Sequence, residues 1–133
     1  MKRISPHLGR APNESVNESL VQFYGRLLEV LRHPVLRDGE WRLLECVPAW
    51  EGNDSNDAFV AFAWQGADGA RLLMAVNYAP HHSQCHVRGA FSDLAGRSWR
   101  LRDLLSDVVY DRDGNELQSR GLYRCPSVAV PRF

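Results

Sequence analysis

From Trp41 onward the chain is a succession of short apolar runs rich in Val, Leu, Phe and Trp, interrupted about every ten residues by Gly, Asn, Asp or Pro. Runs of this length accommodate a strand but not a globular helix, and turn signals at such regular spacing point to an antiparallel sandwich or barrel. Strands are predicted over 41–48, 58–65, 70–78, 84–91, 98–102, 107–110, 116–124 with a break, and 127–132. Between them Gly52-Asn53-Asp54, Gly66-Ala67-Asp68-Gly69, Leu94-Ala95-Gly96 and Asp111-Arg112-Asp113-Gly114-Asn115 supply positive φ or Asx hydrogen bonds. The fold class expected is therefore all-β, a sandwich or barrel of about seven or eight strands.

Two of these strands are apolar on both faces. Phe59, Ala61 and Ala63 alternate with Val60, Phe62 and Trp64, and Leu72, Met74 and Val76 alternate with Leu73 and Ala75. That pattern predicts central strands, covered on one face by a helix.

The helix is written ahead of the strands. Ser15-Val16-Asn17-Glu18 matches a capping box with Ser15 as the cap. Leu20, Tyr24, Leu27 and Leu31 then repeat at helical spacing, with Phe23, Leu28 and Val30 widening the same side. One N-terminal amphipathic helix over 16–32 follows, ended by His33-Pro34 because proline disfavours helical geometry in its predecessor. Residues 1–14 carry Pro, Gly, Asn and charge without periodicity and are expected to be a flexible leader, leaving 15–133 as a single domain.

Composition narrows the function. The 133 residues carry 16 basic and 16 acidic side chains, so no net field favours nucleic acid or an anionic membrane. The start lacks the apolar stretch of a signal peptide and no long apolar run follows, which predicts a soluble, cytoplasmic protein with neither partner. Cys46, Cys85 and Cys125 are odd in number and lack C-x-x-C spacing, so they read as reduced apolar side chains.

Several constellations invite chemistry. His81, His82, Cys85 and His86 form the densest group of metal-ligating types, but on an extended strand His82 and His86 stand about 13 Å apart, too far for one ion. Only a tight turn at Ala79-Pro80-His81-His82 would gather them, and no metal is expected. Asp111, Asp113 and Asn115 match the first three positions of a calcium loop, yet Glu116 and Leu122 stand where Gly and Glu are required, so a hairpin turn is predicted. Cys85 and His86 would point to opposite faces of a strand, and Ser83, His82 and Asp93 lack a nucleophile elbow. Pairs such as Asp54 with Asp57 and Asp103 with Asp107 read as turn residues, and no glycine loop cradles a phosphate or implies a cofactor. Trp41, Trp64 and Trp99 sit in apolar runs that argue core. Trp50 stands at a strand-to-loop border beside Glu51 and Asn53, where an indole face could stack on a sugar while its neighbours bond hydroxyls; packing is the commoner role for such a ring.

Phe23-Tyr24-Gly25-Arg26-Leu27-Leu28 followed by Leu36-Arg37-Asp38-Gly39-Glu40-Trp41-Arg42-Leu43-Leu44 resembles the junction between the last barrel helix and the C-terminal domain in glycoside hydrolase family 13, the α-amylase family. Ala49-Trp50-Glu51-Gly52-Asn53, Phe59-Val60-Ala61-Phe62-Ala63-Trp64, Ala75-Val76-Asn77-Tyr78-Ala79-Pro80, Trp99-Arg100-Leu101-Arg102-Asp103-Leu104-Leu105, Tyr110-Asp111-Arg112-Asp113-Gly114 and Gly121-Leu122-Tyr123 resemble the same branch in the same order. The resemblance spans about residues 7–124, while the closing stretch 124–133 departs from the family pattern. It implies an all-β fold of the antiparallel β-sandwich kind, a non-catalytic accessory domain that packs beside and stabilises a (β/α)8 barrel, in cis or in trans, in α-glucan metabolism. The family's catalytic carboxylates lie on barrel strands, so no catalytic residue is carried over and the chain alone is not an enzyme. Two alternatives stand beside this: an α-glucan-binding module using Trp50, Glu51 and Asn53, and a free-standing protein-interaction domain. The accessory reading predicts an exposed apolar face, or a homodimer that hides it.

Overall fold

A computed structural model describes residues 15–124. The described chain is mostly β, with eight strands in three antiparallel sheets and three α-helices. In order these are α1 (Glu18–Val30), α2 (Pro34–Asp38), β1 (Glu40–Leu43), β2 (Glu45–Pro48), β3 (Phe59–Gln65), β4 (Arg71–Asn77), β5 (Cys85–Arg88), β6 (Ser98–Arg102), β7 (Val109–Asp113), α3 (Gly114–Ser119) and β8 (Leu122–Arg124), with a 3-10 turn at Ser55–Ala58 ahead of β3. The leader at 1–14 and the strand expected at 127–132 lie outside the described residues.

The first sheet runs β1-β3-β4 and the second β2-β5-β8. One expected strand over 41–48 is thus two, because the chain changes sheets at Leu44. That residue is buried and donates its amide to the Ala61 carbonyl at 2.9 Å before the backbone turns to pair Glu45 with Arg88. A single core lies between these two sheets, with Leu44, Phe59, Ala61 and Ala63 from one side and Cys85 and Val87 from the other. Small residues at Ala61 and Ala63 let the facing layers approach, and Val87 and Cys85 fill the centre.

β6 and β7 form the third sheet, a hairpin of its own. The expected strand at 107–110 is displaced to Val109–Asp113, because Asp107 takes φ 63° and belongs to the turn, which the Asp103 amide closes on the Val108 carbonyl at 2.8 Å. The hairpin turn expected at Asp111–Asn115 is not one either. Asp111 and Asp113 end a strand, and the Asp113 carboxylate accepts from the Asn115 and Glu116 amides at 2.9 and 3.1 Å, starting α3 where a strand was expected from 116. Gly114 is required there: a Cβ on it would lie 1.8 Å from the Leu94 carbonyl oxygen.

Three further expectations are corrected. Among the described residues β4 is an edge strand, not a central one. The cap of α1 is Asn17, whose side chain accepts from the Leu20 amide at 3.1 Å, and not Ser15. The inward stripe of α1 is Leu20, Phe23, Leu27 and Val30, of which only Val30 is buried, while Tyr24 and Leu31 face outward. Val30 joins Val35 of α2, Leu72, Trp64 and Leu104 in a second, smaller cluster at one end of the first sheet. Pro34, expected only as a stop, also opens α2, since its fixed φ suits the first helical position.

Candidate functional site

Trp50, Glu51 and Asn53 occupy the turn between β2 and the 3-10 helix. The Asn53 amide donates to the Trp50 carbonyl at 3.1 Å, and Gly52 takes φ 85°, so the turn is tight and holds the indole outward at 55% exposure. Glu51 is exposed beside it. Asn53 is occupied internally: its Oδ1 accepts from the Ser55 amide and hydroxyl at 2.9 and 2.6 Å, and its Nδ2 donates to Gln84 Oε1 at 3.1 Å. The turn therefore presents one ring and one carboxylate, with the amide tied into the joint between the 3-10 helix and β5.

The histidine-rich segment divides between surface and core. The His81 Nδ1 contacts the Ser83 hydroxyl at 2.9 Å, a serine-histidine pair of the kind nucleophilic catalysis uses. Ser83 is fully buried, so no electrophile can approach its Oγ, and among the described residues no carboxylate bonds to His81 to orient it. Cys85 is fully buried beside Cys46 on the neighbouring strand, and burial foremost, with the Cys46 thiol adding to it, pushes its thiol up to about 12. Burial likewise raises the Cys46 thiol. Such thiols stay protonated near neutrality and are poor nucleophiles and poor ligands. His86 rests against Tyr123 with ring centroids 5.5 Å apart. No group of three His, Cys, Asp or Glu side chains that could hold a metal converges among the described residues.

Two open depressions stand out among the described residues. One of about 370 Å³ lies where Arg26 of α1 binds the Leu105 carbonyl at 3.0 Å and the Asp107 carboxylate at 2.7 Å. The other, about 480 Å³, lies between Val47 and Pro48 of β2, with Ala49 just past its end, and His86, Arg88 and Arg120. Neither is enclosed by apolar walls of the kind that hold a small ligand.

The feature that sequence reasoning misplaced is an apolar face. Cross-strand register puts Trp41, Trp64 and Leu72 in one row of the first sheet, Leu43, Phe62 and Met74 in the next, and Val60 and Val76 in a third, all on the side away from the main core. The first row is closed over Trp64 and Leu72 by Val30 and Val35. The rest is open: Trp41 is 53% and Leu43 61% exposed, so Trp41 is not the core residue expected. Trp41 and Phe62 rings lie 5.7 Å apart at 33°, and Phe62 and Trp64 6.1 Å apart at 52°, which makes a tilted aromatic row, not a flat stacking platform. Val21, Tyr24 and Leu28 of α1 and Leu31 at its C-cap are exposed as well, and α1 reaches this same face through Val30. The double-sided alternation of β3 and β4 was the signal for this face; only its cover was misassigned.

Trp99 is half-buried and clamps the hairpin to the first sheet. The Arg71 guanidinium lies 4.7 Å from the Trp99 ring centre and 5.2 Å from that of Phe91, and holds Asp93 with two bonds of 2.5 Å. That contact holds Asp93 below the usual carboxylate range. Among the described residues no helix is long and apolar enough to cross a membrane. No family model matches the chain, and neither a curated protein nor a solved structure matches it.

Proposed function

We propose that this chain is a non-catalytic accessory domain, an all-β sandwich that packs against and stabilises a (β/α)8 barrel of α-amylase type. The observation that carries the reading is the open apolar face formed by Trp41, Leu43, Phe62, Met74 and Val76 and flanked by the outward residues of α1. Contiguous apolar surface of this kind is uncommon on a monomer with no partner and is the ordinary mark of a contact surface. The resemblance assigns α1 to the last barrel helix. A barrel helix separated from its barrel would leave one flank bare, which is how Val21, Tyr24, Leu28 and Leu31 stand. The burial of Ser83 and Cys85 and the absence of converging ligands among the described residues favour a structural role over a chemical one.

The test is capture of a hydrolase from extracts of the source cell on the immobilised chain, with captured proteins identified by mass spectrometry and the hydrolase followed through heat inactivation. Wild type should retain and protect a (β/α)8 glycoside hydrolase. Trp41→Ser and Leu43→Ser each withdraw roughly 100 Å² of apolar contact, or about 2.5 kcal/mol of docking free energy at about 25 cal/mol/Å². Retention that is indifferent to both substitutions, or no hydrolase at all, would sink the proposal.

One observation favours the α-glucan-binding reading, the outward Trp50 indole beside Glu51. Titration with maltoheptaose, following the Trp50 indole proton, separates the two: saturable shifts there make the turn a sugar site, and none by millimolar sugar leaves it a solvated turn.

A further inference from the structure

The lateral edge of β4 carries an inference beyond the outer face. The Gly66 amide donates to the Ala70 carbonyl and the Tyr78 amide to the Ala58 carbonyl, which brackets β4 and fixes its hydrogen-bonding phase. Even-numbered residues of β4 turn their amides and carbonyls to β3, so by alternation Arg71, Leu73, Ala75 and Asn77 turn theirs to the outside. Among the described residues, no hydrogen bond reaches the backbone groups of Leu73 or Ala75. An edge that stays single is normally blunted by a charge, a proline or a bulge. Between Arg71 and Asn77 this edge reads Leu-Leu-Met-Ala-Val, with none of these.

We propose that β4 pairs antiparallel with β4 of a second copy about a twofold axis at Met74, joining two three-stranded sheets into one of six. The segment is its own complement. With Met74 opposite Met74, Leu73 meets Ala75 of the other copy, Leu72 meets Val76 and Arg71 meets Asn77, so no like charges oppose one another. Leu73 and Ala75 exchange both backbone bonds at each of two symmetric places, and every outward group of the two residues is satisfied. The Met74 pair falls at a close, non-hydrogen-bonded position on the axis and continues the outer face from one copy to the next. An isologous contact of this kind closes at two copies and leaves Trp41 and Leu43 free.

Sedimentation equilibrium of the full chain from micromolar to near-millimolar concentration tests this. Wild type should dimerise. Met74→Lys and Met74→Glu, folded by circular dichroism, should each weaken self-association by about tenfold or more, because like charges then face each other across the axis. Mixing the two variants should restore a one-to-one dimer, which places Met74 against Met74. Ala75→Pro removes one outward donor without touching the β3 ladder and should also yield monomer. A wild-type monomer throughout overturns the proposal, as does open-ended growth. A dimer lost in Trp41→Ser but kept in Met74→Lys overturns it too, in favour of contact through the outer face.

Discussion

Replacing Cys85 isolates a pH dependence whose sign and size follow from its burial. The residue is fully inaccessible, and its thiol is pushed up from the ordinary 9.0 to about 12. Below pH 9.0 both folded and unfolded chains hold the proton, so the stabilising contribution is complete. Above it the unfolded chain releases the proton while the folded chain keeps it, and stability falls with rising pH until the folded thiol also ionises near 12. Each pH unit in that window costs about 1.4 kcal/mol. The informative quantity is the difference between wild type and Cys85→Ala, which cancels every contribution common to the two chains. Deleting the sulfur lowers stability at every pH by leaving a small cavity, but it removes the thiol's own slope. Urea unfolding at pH 8, 9 and 10 should show wild type losing about 1.4 kcal/mol more than the variant between pH 8 and 10. Parallel curves would mean that the Cys85 thiol is solvated in the folded protein, and the burial argument would be wrong.

Gly114→Ala should destabilise the protein by about 1–3 kcal/mol, read as a lowered urea midpoint, since the added methyl meets the Leu94 and Arg97 carbonyls and neither is a flexible side chain. Arg71→Met keeps the aliphatic stem but loses two aromatic contacts and both bonds to Asp93, and should cost about 1–2 kcal/mol, read as a lowered urea midpoint. Asp113→Ala removes the cap of α3 and should cost about 1 kcal/mol, with Asp113→Asn retaining most of it; equal losses in both variants would mean that charge, not the capping bond, matters.

Much of the architecture was written locally. The strand at 59–65 and its hairpin partner at 71–77 follow from alternation bounded by Gly66 and Gly69, and α1 follows from the 3.6-residue period closed by His33-Pro34. α3 was also legible: Asp113 followed three residues later by Glu116 is a helix-start signal, masked by reading Asp113-Gly114 as a hairpin turn. The amphipathic pattern of α1 was legible as a side but not as a stripe, because Tyr24 and Leu31 are as apolar as Phe23 and Val30, and only contact with Leu72 and Trp64 chose between them.

The candidate site shows the same division. That Trp50 stands outward while Asn53 is consumed by Ser55 and Gln84 depends on a partner 31 residues away, which no local pattern encodes. Alternation determined that β3 and β4 are apolar on both faces, since side chains on a strand point to opposite sides whatever surrounds them. Which face meets β5, which meets α1 and α2 at one end, and which stays open at Trp41 and Leu43 was decided only when three sheets assembled. Hydrophobicity fixes the wish to be buried, and the identity of the cover is a property of chain topology.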